Sequence, residues 1–170
     1  MSDTAILATK VLTRLQQASL MLATAESCTG GLIAAAITDL NGASNVLDRG
    51  FITYSNEAKM EMLAVREQTL RDHGAVSSQT AAEMAAGALL HSRADIAVSV
   101  TGIAGPGGGT AEKPVGLVWF GIAVRDGEPR TVRKQFAGLG RAAVRRDSVA
   151  TALGLVLEAA ETIADQAGVP

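Results

Sequence analysis

The chain has 170 residues, 48% hydrophobic but only 3% aromatic, which suits one α/β domain over 1–170 with a core of Ala, Val, Leu and Ile. A net charge of −2 and a pI of about 5.7 argue against a dedicated nucleic-acid binder, which carries a strong basic excess. One cysteine and two separated histidines exclude an intrachain disulfide and an ordinary structural zinc site, and no apolar run approaches the length of a membrane span.

Met1 to Gln17 reads as an amphipathic helix with the stripe Leu7, Val11, Leu15 and Ala18, not as a signal peptide. A reduced, cytoplasmic setting is therefore expected. Leu20 to Ala25 suits a buried strand and runs directly into Glu26-Ser27-Cys28-Thr29-Gly30-Gly31. Leu32 to Leu40 reads as a helix ended by Asn41-Gly42. Arg49 to Tyr54 reads as a second strand, and Ser55 caps a short helix through Leu63. Ser77-Ser78 caps an Ala-rich helix to about His91, followed by a strand from Ile96 to Val100. A glycine-rich loop runs from Thr101 to Thr110 and ends near Pro114. Val115 to Val124 and Arg130 to Phe136 form a hairpin around Asp126-Gly127. A long helix from about Arg141 to Gln166 carries the stripe Val149, Leu153, Val156, Ala160 and Ile163. Alternating elements with one late hairpin predict a three-layer α/β/α domain with a mixed, mostly parallel sheet.

Three groups of residues bear chemistry. Ser27 sits just past the first predicted strand, where ligands of open α/β sheets bind. A helix expected to begin near Thr29 or Gly30 would offer unpaired N–H groups to a developing oxyanion, and Gly30 and Gly31 would let a substrate approach the backbone. The plainer reading is that Ser27 or Thr29 merely caps the helix. Cys28 is a rival nucleophile or a small buried filler, and the residues alone leave the order open. A serine needs a base, and neither His73 nor His91 is placed for it. Lys59, in the first turn of its helix, can serve if burial and the helix dipole hold it neutral, with Tyr54 nearby to orient the proton. Solvation, or pairing with Glu57 or Glu61, is the plainer alternative.

The third group is the loop with five glycines and the arginines that follow it. The loop fits neither the P-loop nor the dinucleotide fingerprint; it is an anion-binding nest or a flexible connector. Seven of the fifteen Lys and Arg fall between Arg125 and Arg146. The final helix's apolar stripe, extended backward, lands on Arg145 and Arg141. A phosphate would partner such guanidinium groups well, and snorkelling or pairing with Asp147 would also satisfy them.

Taken together, Thr24-Ala25-Glu26-Ser27-Cys28-Thr29-Gly30-Gly31, Gly50 to Asn56 with Lys59, Gly74-Ala75-Val76-Ser77, Val100 to Pro106 with Gly108-Gly109-Thr110 and Lys113 to Gly116, and Phe136 with Gly138, Arg141 and Arg145 resemble the CinA C-terminal domain family. The resemblance runs in order along nearly the whole chain. It implies a three-layer fold and a nicotinamide-nucleotide amidase, which hydrolyses nicotinamide mononucleotide to nicotinate mononucleotide and ammonia in pyridine-nucleotide salvage. It implies no metal and no cofactor, and a homodimer or larger homo-oligomer. Ser27 matches the family nucleophile, Lys59 its base and Tyr54 the base's partner; Thr101 and Arg141 match substrate-site positions. Arg145 and the Gly102 to Gly109 loop, Gly105 included, extend the substrate site by neighbourhood, and backbone from Cys28 through Thr29 to Gly30 would hold the oxyanion. The nucleotide-processing domain that precedes this one in longer members is expected to be absent, giving a stand-alone form. Two rivals remain: a non-catalytic nucleotide- or protein-binding module of the competence/damage-inducible type, and a phosphate hydrolase built on the glycine-rich loop.

Overall fold

The computed structural model describes residues 3–168; Met1 and Ser2, the start of the first predicted helix, lie outside them. In chain order the elements are α1 (Asp3–Ala18), β1 (Leu22–Glu26), α2 (Leu32–Thr38), a 3-10 turn (Ala43–Asn45), β2 (Leu47–Ile52), α3 (Asn56–Leu63), α4 (Glu67–His73), α5 (Ser78–Leu90), β3 (Ile96–Gly102), β4 (Leu117–Val124), β5 (Arg130–Gln135) and α6 (Arg141–Ala167). One five-stranded sheet has the order β2-β1-β3-β4-β5. β1 pairs parallel with β2 and β3, while β4 runs antiparallel to both β3 and β5. Four strands thus point one way and β4 opposes them, giving the mixed sheet expected.

The two faces of the sheet are covered by different helices. Strand side chains alternate: Leu22, Ile96, Val98, Val100, Val118, Phe120 and Ile122 meet Val11 and Leu15 of α1, Ile33 and Ile37 of α2, and Val149, Leu153 and Val156 of α6. On the other face Ala23, Ala25 and Ala97 meet Leu63 of α3, Leu70 of α4, and Met84 and Ala88 of α5. With alanines on the strands, α5 lies close to the sheet. At Gly121 of β4 any Cβ would collide with the Ala81 carbonyl of α5 and with Ser99 Oγ, so only glycine lets the two backbones approach this closely. The edge strand β5 carries exposed Arg130, Arg133 and Lys134.

Three local details depart from the sequence reading. Helix α4, to which the sequence pattern assigns no element, has Arg66 at its N-cap position without a side-chain cap. Tertiary bonds replace the cap: Glu83 of α5 accepts from the Arg66 backbone N–H (2.9 Å), the Arg66 guanidinium and the Thr69 hydroxyl (2.7 Å). Helix α2 ends at Thr38, and its predicted last turn is given over to the approach to the 3-10 turn. Helix α2 also starts at Leu32, with Gly31 at the N-cap position. Neither Ser27 nor Thr29 caps it.

Candidate active site

The carboxyl ends of β1, β2 and β3 converge, because these parallel strands all end on the same rim of the sheet. Ser27 follows β1 and is tied to β3 by its own N–H, which donates to the Val100 carbonyl (3.0 Å). Thr53 follows β2 and is tied to β1 by donating to the Glu26 carbonyl (2.9 Å). Ser55 caps α3 as expected, its side chain accepting from Ala58 N–H. That cap starts the helix two turns before Leu63 and lets Lys59 reach back over the strand ends.

Lys59 is the decisive side chain. It is 1% exposed, with Nζ 3.0 Å from Ser27 Oγ and donating to the Thr53 carbonyl at 2.8 Å. No carboxylate pairs with it: the Glu57 and Glu61 alternatives are not realised among the described ion pairs. Burial pushes the amine down to about 8, since a desolvated ammonium is penalised relative to the neutral amine. A neutral amine has one lone pair, and the hydroxyl of Ser27 is within its reach. Cys28 is the reverse case. Its thiol is buried and its pKa is raised to about 11, mainly by desolvation. A thiol held in that form is a poor nucleophile.

The turn between β1 and α2 has its N–H groups divided between two uses. The buried carboxylate of Glu26 caps α2, accepting from Gly31 (3.1 Å), Ile33 (3.0 Å) and Ala34 (3.0 Å). Gly30 N–H donates to the Ser27 carbonyl (3.1 Å). Gly30 (φ 61°) and Gly31 (φ 102°) adopt left-handed backbone, where a side chain would strain the chain. The helix tip read from sequence as vacant is therefore filled by Glu26. This corrects the expectation for Gly30, whose N–H is committed elsewhere. Among the described residues, no carbonyl or side chain of another residue accepts from the N–H groups of Cys28 and Thr29.

The remaining expected residues surround this pair in separate small contacts. Tyr54 is 62% exposed and accepts from Arg141 Nη2 (3.1 Å), with no hydrogen bond to Lys59. Arg141 also donates to the Gly105 carbonyl (3.0 Å) and so bridges the β2 end to the glycine-rich loop. Thr101, 1% exposed, donates to the Ala75 carbonyl (2.7 Å). Gly102 closes β3 opposite Val118, and Ile103 pairs with the Leu117 and Gly116 backbone, so the loop starts firmly anchored. Arg145 is half-buried and Arg141 exposed; Arg145 donates to the Cys28 and Thr29 carbonyls, both at 3.1 Å. His73 and His91 are exposed and stand apart from Ser27, as expected. Glu26 and Thr53 were missed in the sequence. The usable signal was an acidic residue just before a Gly-Gly helix start, where a carboxylate meets the helix dipole.

Residues 4–160 match the CinA C-terminal domain family. The chain belongs to the CinA C-terminal domain family. Among CinA-type relatives, the nicotinamide-nucleotide amidohydrolase PncC of Enterobacter agglomerans is 59% identical over 133 residues, 78% of this chain and 80% of that protein. The protein of the same name from Escherichia coli K12 is 59% identical over 130 residues, 76% of this chain and 78% of that protein. The crystal structure of the competence/damage inducible protein CihA from Agrobacterium tumefaciens superposes with a TM-score of 0.91 at 51% identity, covering 93% of this chain and 96% of that one.

Proposed function

We propose that this chain is a serine amidohydrolase that converts nicotinamide mononucleotide and water to nicotinate mononucleotide and ammonia. The observation that carries the reading is the contact of a buried, carboxylate-free Lys59 amine with Ser27 Oγ at 3.0 Å. The PncC relatives supply the substrate class. In the proposed reaction neutral Lys59 takes the proton of Ser27 as Oγ attacks the carboxamide carbon. Oxygen gains the displaced electron pair, and the N–H groups of Cys28 and Thr29 are the donors left to receive it. The C–N bond then breaks, and Lys59 hands its proton to the departing nitrogen, which leaves as ammonia. Water, deprotonated by the same amine, cleaves the acyl ester and frees Ser27.

Arg141 is the proposed cation for the ribose phosphate, held ready across Tyr54 and Gly105. In this reading Tyr54 positions Arg141 and does not relay protons, and Thr101 ties the β3 end to Ala75 at the floor of the substrate site. Free Cys28 fits a reducing, cytoplasmic setting, and assembly into a homo-oligomer belongs to the same proposal.

The test is ammonia release from nicotinamide mononucleotide by the purified protein and by Ser27→Ala. Turnover by the first and none by the second, with both folded, is the expected result. Full turnover by Ser27→Ala would remove the nucleophile. An inert wild-type protein would return the chain to the non-catalytic binding module.

A further inference from the structure

We propose that Arg145 is a positioning residue of this reaction: by holding the Cys28 and Thr29 carbonyls, it sets the turn after Ser27 so that the unclaimed Thr29 N–H faces the reacting oxygen. The inference rests on the amidohydrolase reading and assigns Arg145 a role other than gripping phosphate.

A peptide unit is planar and trans, so its N–H points opposite its C=O. The carbonyl of Cys28 and the N–H of Thr29 belong to one such unit. Arg145 Nε donates to that carbonyl, so the guanidinium fixes the direction of the Thr29 N–H. A charged donor on the oxygen also polarises the peptide and makes its N–H a stronger donor. The preceding unit is arranged the same way with a neutral donor: the Ser27 carbonyl accepts from Gly30 N–H, which leaves the Cys28 N–H free on the far side. Both unclaimed N–H groups thus belong to peptides whose oxygens are tied down.

The direction is also informative. Arg145 comes from α6, in the layer with α1 and α2, whereas Lys59 comes from α3, in the opposite layer. An N–H aimed away from Arg145 is aimed away from α6 and toward the side from which the amine reaches Ser27. Glu26 anchors the downstream end of the same turn through Gly31, Ile33 and Ala34. The segment from Ser27 to Ala34 is thereby held at its carbonyls by a cation and at its N–H groups by an anion. Only an arginine fork spans two consecutive carbonyls this way; a lysine offers a single point. With Nε and one Nη2 hydrogen given to the carbonyls, the side-on edge of the Arg145 guanidinium is occupied, and only its end-on edge is left for an anion.

The experiment compares wild type, Arg145→Lys and Arg145→Gln on nicotinamide mononucleotide and on nicotinamide riboside, which lacks the phosphate. Wild-type ammonia release comes first, and its absence would fail the functional reading without bearing on Arg145. With wild type active, we expect kcat to fall at least about tenfold in Arg145→Gln, as when an oxyanion donor is misplaced. KM should stay within about twofold, and the preference for nucleotide over riboside should be unchanged. Arg145→Lys should recover part of the loss. A raised KM confined to the nucleotide would make Arg145 a phosphate ligand and overturn the proposal, as would unchanged kcat in both variants. Loss of the fold in both, read by circular dichroism, would also overturn it by making Arg145 a residue of the fold and not of the reaction.

Discussion

The space between the sheet and helices α1 and α6 differs sharply from the rim where β1, β2 and β3 end. The first is filled by aliphatic side chains such as Val11, Leu15, Val98, Leu153 and Val156 with Phe120 among them. Its residues are almost all apolar and fully buried, as a core built for stability requires. The rim buries Lys59 and Glu26, each held by hydrogen bonds, and also the hydroxyls of Thr29 and Thr53, which have no protein partner among the described residues. Buried polar groups of that kind cost stability. Departures from the local rules concentrate at functional sites, and the rest of the fold offsets them.

Lys59→Met should separate the two regions most clearly. Ammonia release should fall on the order of 10³-fold or more, since the base acts as a unit with the nucleophile. The melting temperature at pH 7 should not fall, because an apolar chain of similar length replaces a desolvated amine. Calorimetry beside the ammonia assay checks both; a large drop in melting temperature would show the amine to be a structural tie. Leu153→Ala is the complementary change. Leu153 is fully buried, and its truncation should cost about 2–5 kcal/mol in urea unfolding, with kcat per folded molecule unchanged.

The pH profile gives a smaller effect. With Lys59 held near 8, kcat/KM should rise about tenfold per pH unit below that value and level off above it, and Lys59→Met should lack the rise. The same shift has a stability consequence. The unfolded chain, with an ordinary lysine, binds more protons between about 8 and 10.5 than the folded one. Wild type should therefore gain stability relative to Lys59→Met as pH rises through that window, measured by urea titration at several pH values. A gain on lowering the pH would reverse the assignment of the buried amine. Least of all should change in Cys28→Ala. Its thiol is buried and protonated, so turnover should stay within about threefold and alkylation of wild type at pH 7.5 should be slow.

Much of this contrast was legible in the sequence. The stripes of α1 and α6, the strand before Glu26, the caps at Ser55 and Ser77 and the hairpin all depend on local pattern, and the structure has them. Ser27 and Lys59 were found as residues, but their 3.0 Å contact depends on how β2 lies beside β1, which no local pattern encodes. Helix α4 escaped because its start is secured by Glu83 of α5 and not by a capping side chain of its own. The Glu26 clamp escaped for the opposite reason: it is local, but a carboxylate in a strand end reads as an ordinary surface charge until its burial is known. Tyr54 was placed beside the base by neighbourhood, whereas its hydroxyl is turned to Arg141.

The last strand of the sheet bears on how the molecule avoids open-ended growth from its sheet edge. β5 has β4 on one side, and its outer row of amides and carbonyls is a template on which another polypeptide could extend the sheet. Arg133 and Lys134 are adjacent and so project to opposite sides, where a second copy docking edge-on would meet like charges above and below. That arrangement discourages fibrous stacking at the very margin where the fold is least covered.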